Sequence, residues 1–157
     1  MAIEMGQKAP GFSLFDSDKN KVNLSDYLGK NVVLLFFPLA FTGVCTTELC
    51  AVRDNIAAYN DTNAQVFGIS VDSVFVLNKY KKEQQLNFPL LSDFNKTAAG
   101  DYGILYEVFP AFEMQGVSKR AAFVIDKEGI VQYSEVCSKP KDLPNFQAIN
   151  DVLVSLK

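Results

Sequence analysis

A cysteine at the junction between an apolar strand and a helix is the residue in this sequence best suited to chemistry. Cys45 follows a loop that contains Pro38 and Gly43, and it precedes a helical pattern that begins near Thr46. The first N–H groups of a helix lack intrahelical partners and the helix dipole is positive there, so both favour a thiolate over a thiol. The pattern therefore predicts a nucleophilic sulfur on the ligand side of an α/β sheet.

The sequence has no histidine, and this absence excludes several classes of site. Ser-His-Asp and Cys-His hydrolases, histidine general bases and nearly all catalytic zinc sites need that side chain. Three scattered cysteines without histidine also argue against metal binding, so we expect no metal and no cofactor. The only two arginines are Arg53 and Arg120, and a planar, permanently charged donor in the site must be one of them.

Length and composition predict one globular domain over residues 1–157, with 48% hydrophobic and 21% charged residues. The net charge of −3 argues against nucleic acid or an anionic membrane as a partner. The first residues lack the apolar run of a signal peptide, and the apolar stretch 32–41 is too short to span a bilayer. Because an odd number of cysteines does not suggest a disulfide framework, we expect a reducing, cytoplasmic location.

Hydrophobic periodicity predicts strands that alternate with helices. The predicted strands and hairpins span residues 11–24, 32–37, 65–71, 90–91, 121–125 and 130–133. The predicted helices span 46–60, 73–85, 95–102 and 144–156, with a brief helical turn at 25–29. The continuous apolar run at 32–37 is typical of a strand buried on both faces. This order predicts an α/β thioredoxin-like fold, in which helices flank a mixed central sheet and an N-terminal β-hairpin extends it.

The segment around the reactive cysteine resembles the peroxiredoxin family. Pro38-x-x-x-Thr42-x-x-Cys45 is similar to the peroxiredoxin active-site motif. Arg120 precedes residues 121–126 much as the active-site arginine of the family precedes its strand. The likeness covers nearly the whole chain, from residues 8–12 to the final helix. The segment Phe-Pro-Leu-Ala-Phe-Thr-Gly-Val-Cys most resembles the alkyl hydroperoxide reductase E branch.

The resemblance implies a thiol peroxidase acting on hydrogen peroxide and organic hydroperoxides, with a role for each motif residue. Cys45 would attack one peroxide oxygen and become a sulfenic acid. Thr42 would accept a hydrogen bond from the peroxide while contacting the thiolate, and Arg120 would donate to the sulfur and to the peroxide. Pro38 would shield the sulfur, and Glu48 would orient the arginine. Because full ionisation of a thiol gains only about 10–20-fold near neutral pH, donors aimed at the breaking O–O bond must supply most of the acceleration.

The thiol that resolves the sulfenic acid is left open by the motif. Cys50 lies five residues after Cys45, a spacing like that of the bacterioferritin-comigratory branch. On an intact helix this spacing gives a rise of about 7.5 Å, beyond the roughly 4.4–6.8 Å between the Cα atoms of a disulfide. We expect Cys50 to resolve after the first helical turn unwinds. The alternatives are Cys137 and an external thiol, as in the single-cysteine branch.

The resemblance also implies a thioredoxin- or glutaredoxin-like reductant and a homodimer. The main alternative function is a peroxide-sensing relay protein, which would need the same thiolate but would pass its oxidation to a partner. A disulfide oxidoreductase of the thioredoxin type is disfavoured because the sequence has no Cys-x-x-Cys pair. We interpret Arg53 and Asp54 as a structural ion pair.

Overall fold

The central sheet is built on apolar runs that alternate their side chains between two faces. The computed structural model describes residues 2–156. The strands are β1 (Ser13–Asp16), β2 (Lys21–Asn23), β3 (Asn31–Phe36), β4 (Ala64–Ser70), β5 (Leu90–Ser92), β6 (Ala121–Ile125) and β7 (Val131–Val136). The helices are α1 (Gly43–Asp54), α2 (Ile56–Asp61), α3 (Val74–Gln84), α4 (Thr97–Asp101) and α5 (Phe146–Ser155), with a short 3-10 turn over Leu24–Tyr27.

The sheet has the strand order β2-β1-β5-β4-β3-β6-β7 and is mixed. Strands β3, β4 and β5 run parallel to their neighbours in that group, whereas β6 and β7 continue the sheet antiparallel on one side. The β1–β2 hairpin joins the other side through antiparallel pairing of β1 with β5. This topology confirms the predicted thioredoxin-like α/β fold with an N-terminal hairpin.

Two hydrophobic cores lie on opposite faces of the sheet. On β3, Val33 and Leu35 belong to the core that α1, α2, α3 and α5 cover. Leu34 and Phe36 belong to the other core, which α4 and the N-terminal hairpin cover. Because both faces are covered, every residue of β3 is buried, as its continuous apolar run predicts. The loop after Phe36 therefore leaves the end of a strand that is buried on both faces.

The predicted helix over 46–60 is wrong at its start and in its middle. Helix α1 begins at Gly43, and the chain leaves helical geometry at Asn55 before α2 begins. The side-chain amide of Asn55 donates to the carbonyl oxygen of Ala51 at 2.9 Å, the competition with backbone bonding that makes asparagine a weak helix former. The earlier start places Cys45 inside the first turn of α1. Within residues 2–156, no helix is long and apolar enough to cross a membrane.

Candidate active site

The loop between β3 and α1 is held in place by a carboxylate from the neighbouring strand connection. The Asp72 carboxylate accepts from the backbone N–H of Ala40 at 2.8 Å and from the Ser70 hydroxyl at 2.7 Å. Phe41, the next residue, has a φ of 64°, a left-handed conformation that non-glycine residues adopt rarely. This bend turns the chain directly into α1, so the end of β3 and the start of α1 lie together.

Thr42 is the N-cap residue of α1, but its hydroxyl does not cap the helix. The Thr42 Oγ1 donates instead to the carbonyl oxygen of Leu39 at 2.8 Å. The Thr42 side chain therefore leaves the first-turn N–H groups, including that of Cys45, without a cap. Since the hydroxyl hydrogen points to Leu39 rather than to the sulfur, the remaining capacity of Thr42 is to accept a hydrogen bond.

The sulfur of Cys45 lies against a guanidinium. Arg120, directly before β6, donates from Nη1 to Cys45 Sγ at 3.2 Å. The two side chains are almost inaccessible, with exposed fractions of 1% for Cys45 and 2% for Arg120. The carbonyl oxygen of Pro140 accepts from Arg120 Nη2 at 2.7 Å and from Nε at 3.3 Å. The guanidinium is thus fixed on both edges, so it presents a permanent charge to the sulfur at a defined position.

Glu48 completes the arginine site from one turn further along α1. Its Oε1 accepts from Arg120 Nη1 at 2.6 Å, and the carboxyl group is fully buried. Burial raises the pKa of Glu48 from 4.5 to about 7, against the charge and hydrogen bond of Arg120, which lower it. Burial alone would lower the pKa of Arg120, but the charges of Glu48 and Cys45 outweigh it and raise that pKa. The guanidinium therefore stays charged.

A small cavity opens beside the sulfur. It has a volume of about 230 Å³ and is lined by Cys45, Arg120, Thr42, Pro38 and Phe109, among others. Pro38 is buried at the base of the loop, and Thr42 is exposed at the rim. The structure thus brings Cys45, Arg120, Thr42 and Pro38 to one cavity, with Glu48 behind the arginine. A peroxide group in this cavity would meet a donor, an acceptor and a nucleophile together.

The other two cysteines lie outside this cavity. All three cysteines are free thiols. Cys50 is half-buried on α1, with its thiol 3.7 Å from Oε1 of Gln84 on α3. Helix α1 is continuous from Gly43 to Asp54, so a bond between Cys45 and Cys50 requires local unwinding. Cys137 is buried after β7, where burial, followed by the charge of Glu135, raises its thiol pKa to about 11.

Two elements of the site carry no sequence signal. The carbonyl oxygen of Pro140 reaches Arg120 only through the folding of the loop after β7. Tyr80 of α3 is fully buried, and its hydroxyl lies 2.8 Å from Thr46 Oγ1 on the first turn of α1. Backbone carbonyls and buried tyrosines occur throughout any core, so residue type alone does not distinguish them.

The predicted Arg53–Asp54 ion pair is present at 2.9 Å. Among residues 2–156, no group of three or more His, Cys, Asp or Glu side chains is arranged to hold a metal ion.

Comparisons with known proteins identify the family of this chain. The model of the AhpC/TSA family matches residues 5–134. The chain is 37% identical to the mitochondrial thioredoxin-dependent peroxide reductase of Drosophila melanogaster, over 99% of this chain and 67% of that protein. It is 33% identical to alkyl hydroperoxide reductase E of Mycobacterium bovis, over 98% of each chain. The crystal structure of peroxidoxin BcpB from Mycobacterium tuberculosis matches with a TM-score of 0.86 at 27% identity, covering 99% of each chain. The chain belongs to the AhpC/TSA family and is a thiol peroxidase of the peroxiredoxin type.

Proposed function

We propose that the protein reduces hydrogen peroxide and organic hydroperoxides through a sulfenic acid on Cys45, which a second thiol then reduces. The observation that carries the proposal is the 3.2 Å contact between Arg120 Nη1 and Cys45 Sγ at the wall of a cavity. A buried thiolate needs compensation for lost hydration, and a fixed guanidinium supplies it. Hydrogen-bond donors in the same place also stabilise the charge that develops as the O–O bond breaks.

The first step is a displacement at oxygen. The Cys45 thiolate attacks one oxygen of ROOH, the O–O bond breaks, and the departing RO⁻ takes up a proton to leave as ROH. Arg120 donates to the sulfur and to the oxygens while this charge moves. The Thr42 oxygen, whose own hydrogen is directed to Leu39, accepts from the peroxide O–H and so orients the oxygen under attack. Pro38 covers the sulfur from the loop side, and Glu48 keeps the guanidinium in position.

Cys50 is the thiol that we propose for the second step. Cys45–SOH and Cys50–SH would condense to a disulfide and water, and a thioredoxin- or glutaredoxin-like dithiol would then reduce that disulfide. The name of the Drosophila relative supports a thioredoxin-type donor. Cys137 is a weaker candidate because a thiol with a pKa of about 11 is almost wholly protonated at neutral pH. Cys50 is half-exposed, so it needs less rearrangement to reach a partner.

A homodimer and a cytoplasmic location complete the proposal. Large apolar side chains are exposed, among them Phe41, which precedes Thr42, and Phe112, whose exposed fraction is 92%. Surfaces of this kind favour association, and light scattering on purified protein measures the oligomer directly. The free state of all three cysteines suits a reducing compartment. Imaging of the tagged full-length protein tests the location.

Stopped-flow measurement of peroxide consumption tests the proposed reaction. Cys45→Ser should lower the rate by at least about 10³-fold, because the nucleophile is lost. Cys137→Ser, which changes a similarly buried thiol, is the matched control and should keep the wild-type rate. Turnover with a thioredoxin-type donor supports the enzyme, whereas a single stoichiometric burst with every reductant favours the sensor.

Mass spectrometry should find a Cys45–Cys50 disulfide, and a persistent sulfenic acid with Cys50 free would exclude Cys50 as the resolving thiol.

A further inference from the structure

A hydrogen-bond chain ties the first turn of α1 to α3. Thr46 Oγ1 lies 2.8 Å from the carbonyl oxygen of Thr42 and 2.8 Å from the hydroxyl of Tyr80. A carbonyl cannot donate, so the single hydroxyl hydrogen of Thr46 goes to Thr42. The Tyr80 O–H must therefore donate to Thr46. The chain thus has a fixed direction, from the buried tyrosine through Thr46 to the residue that opens the helix.

The same bonds resist opening of this turn. The Thr42 carbonyl accepts both the Thr46 hydroxyl and the Thr46 backbone N–H, the latter at 3.0 Å. Tyr80 is fully buried and packs its ring 5.0 Å from that of Phe41, at the left-handed bend before the helix. When the turn unwinds, the Tyr80 hydroxyl loses its acceptor inside the core, which is unfavourable for a buried donor. Burial is the main cause that raises the pKa of Tyr80 to about 12, so the hydroxyl remains a donor at neutral pH.

Opening of the turn decides which thiols can reach the Cys45 sulfur. Cys45 is 1% exposed, and the cavity of about 230 Å³ beside its sulfur has room for a small hydroperoxide. With α1 intact, Cys50 is held apart from Cys45 by the helix itself. A sulfenic acid that waits in the closed site stays within reach of further peroxide through the cavity.

We infer that Tyr80 and Thr46 form a latch on the first turn of α1, which sets how the Cys45 sulfenic acid divides between disulfide formation and further oxidation. In one branch, Cys45–SOH and a thiol give a disulfide and water. In the other, Cys45–SOH and ROOH give the sulfinic acid and ROH. Both residues act as positioning residues, since neither touches the peroxide. The inference rests on the proposed role of Cys45.

Tyr80→Phe and Thr46→Val test the latch with small changes. The first keeps the aromatic packing and removes only the hydroxyl, and the second keeps the shape of the side chain and removes both of its hydrogen bonds. Each variant should form the sulfenic acid within about twofold of the wild-type rate. At a fixed excess of peroxide, with dithiothreitol as reductant, each should yield a sulfinic fraction about five- to tenfold lower, measured by mass spectrometry. Thr46→Ser, which keeps the hydroxyl, should restore the wild-type fraction.

Thr47→Val is the matched control. Thr47 lies in the same turn, and its hydroxyl donates to the Gly43 carbonyl at 3.0 Å, yet it has no bond to α3. A sulfinic fraction that stays at the wild-type value in Tyr80→Phe and Thr46→Val would overturn the latch. So would an equal fall in Thr47→Val, since any loosening of the turn would then suffice, or a large drop in the rate of the first step. If the wild type forms no sulfenic acid at Cys45, the proposed function itself fails, and the latch fails with it.

Discussion

Two buried thiols of this protein share one arginine. The side chain of Arg120 donates to Cys45 Sγ at 3.2 Å, whereas its main-chain carbonyl accepts the N–H of Cys137 at 2.8 Å. The two cysteines are hidden to a similar degree, with exposed fractions of 1% and 6%. Cys45 lies in the first turn of α1 and Cys137 directly follows β7, so the two sites differ in local structure but not in burial.

The difference lies in the groups that face each sulfur. Cys45 has the guanidinium and the uncapped first turn of α1, both of which favour a negative charge. Cys137 has weaker compensation: burial raises its thiol pKa to about 11, the charges of Glu135 and Glu48 add to the effect, and the charge of Arg120 offsets only part of it. Burial therefore disfavours a thiolate unless donors surround the sulfur, and only Cys45 has the donors that the proposed reaction requires.

Removal of the Arg120 guanidinium should have the largest effect on the difference between the two thiols. In Arg120→Met the sulfur of Cys45 becomes a buried thiol without its main donor, as Cys137 is. The rate of peroxide reduction should fall by about 10²–10³-fold, the usual effect of deleting one donor to a developing anion. Arg120→Lys should recover part of the loss, because an ammonium keeps the charge but lacks the planar fork that Glu48 and Pro140 hold.

Arg53→Met is the control for the loss of an arginine. Arg53 is partly exposed and pairs with Asp54 away from the sulfur, so its replacement should leave the rate within about twofold. Stopped-flow peroxide consumption gives the rate of each arginine variant, and far-UV circular dichroism checks that each variant folds. A loss smaller than about tenfold for Arg120→Met would show that the helix start alone activates the sulfur.

The inert thiol can be tested by itself in a Cys45→Ser/Cys50→Ser background. At pH 8 a thiol with a pKa of about 11 is ionised to about 0.1%, compared with roughly 10–25% for an ordinary thiol. Iodoacetamide should therefore modify Cys137 about 10²-fold more slowly in the folded protein than in urea. The rate should rise about tenfold for each pH unit up to pH 10. Equal rates in the two states, followed by mass spectrometry, would contradict the difference between the two thiols.

These two cysteines also show which parts of a site can be predicted from sequence and which cannot. The sequence predicts Cys45 as the nucleophile, because a strand end, a loop with a proline and a helix start occur together in one short segment. The scarcity of arginine limits the guanidinium to two positions. The environment of Cys137 is not predictable in this way, because its neighbours Glu48 and Arg120 reach it from other elements. The break at Asn55 is unpredictable for a related reason, since the competing bond of its side-chain amide to the Ala51 carbonyl forms only in the folded chain.

The Glu48 carboxyl group influences both thiols, through Arg120 at Cys45 and through its charge at Cys137. Glu48→Gln should have a smaller effect than the variants above, and the effect is on stability. Burial raises the pKa of Glu48 from 4.5 to about 7, so between these values the folded protein holds a proton that the unfolded chain releases. This contribution to stability is fully present below pH 4.5 and is lost as the pH rises through 7. The glutamine variant lacks it, so the wild type should lose more stability than Glu48→Gln between pH 5 and pH 8, by up to about 3 kcal/mol. Urea unfolding of both proteins at the two pH values measures the difference, in which the other titrating groups cancel. If the two proteins change in parallel, Glu48 is ionised throughout, and Arg120 rather than burial controls its charge.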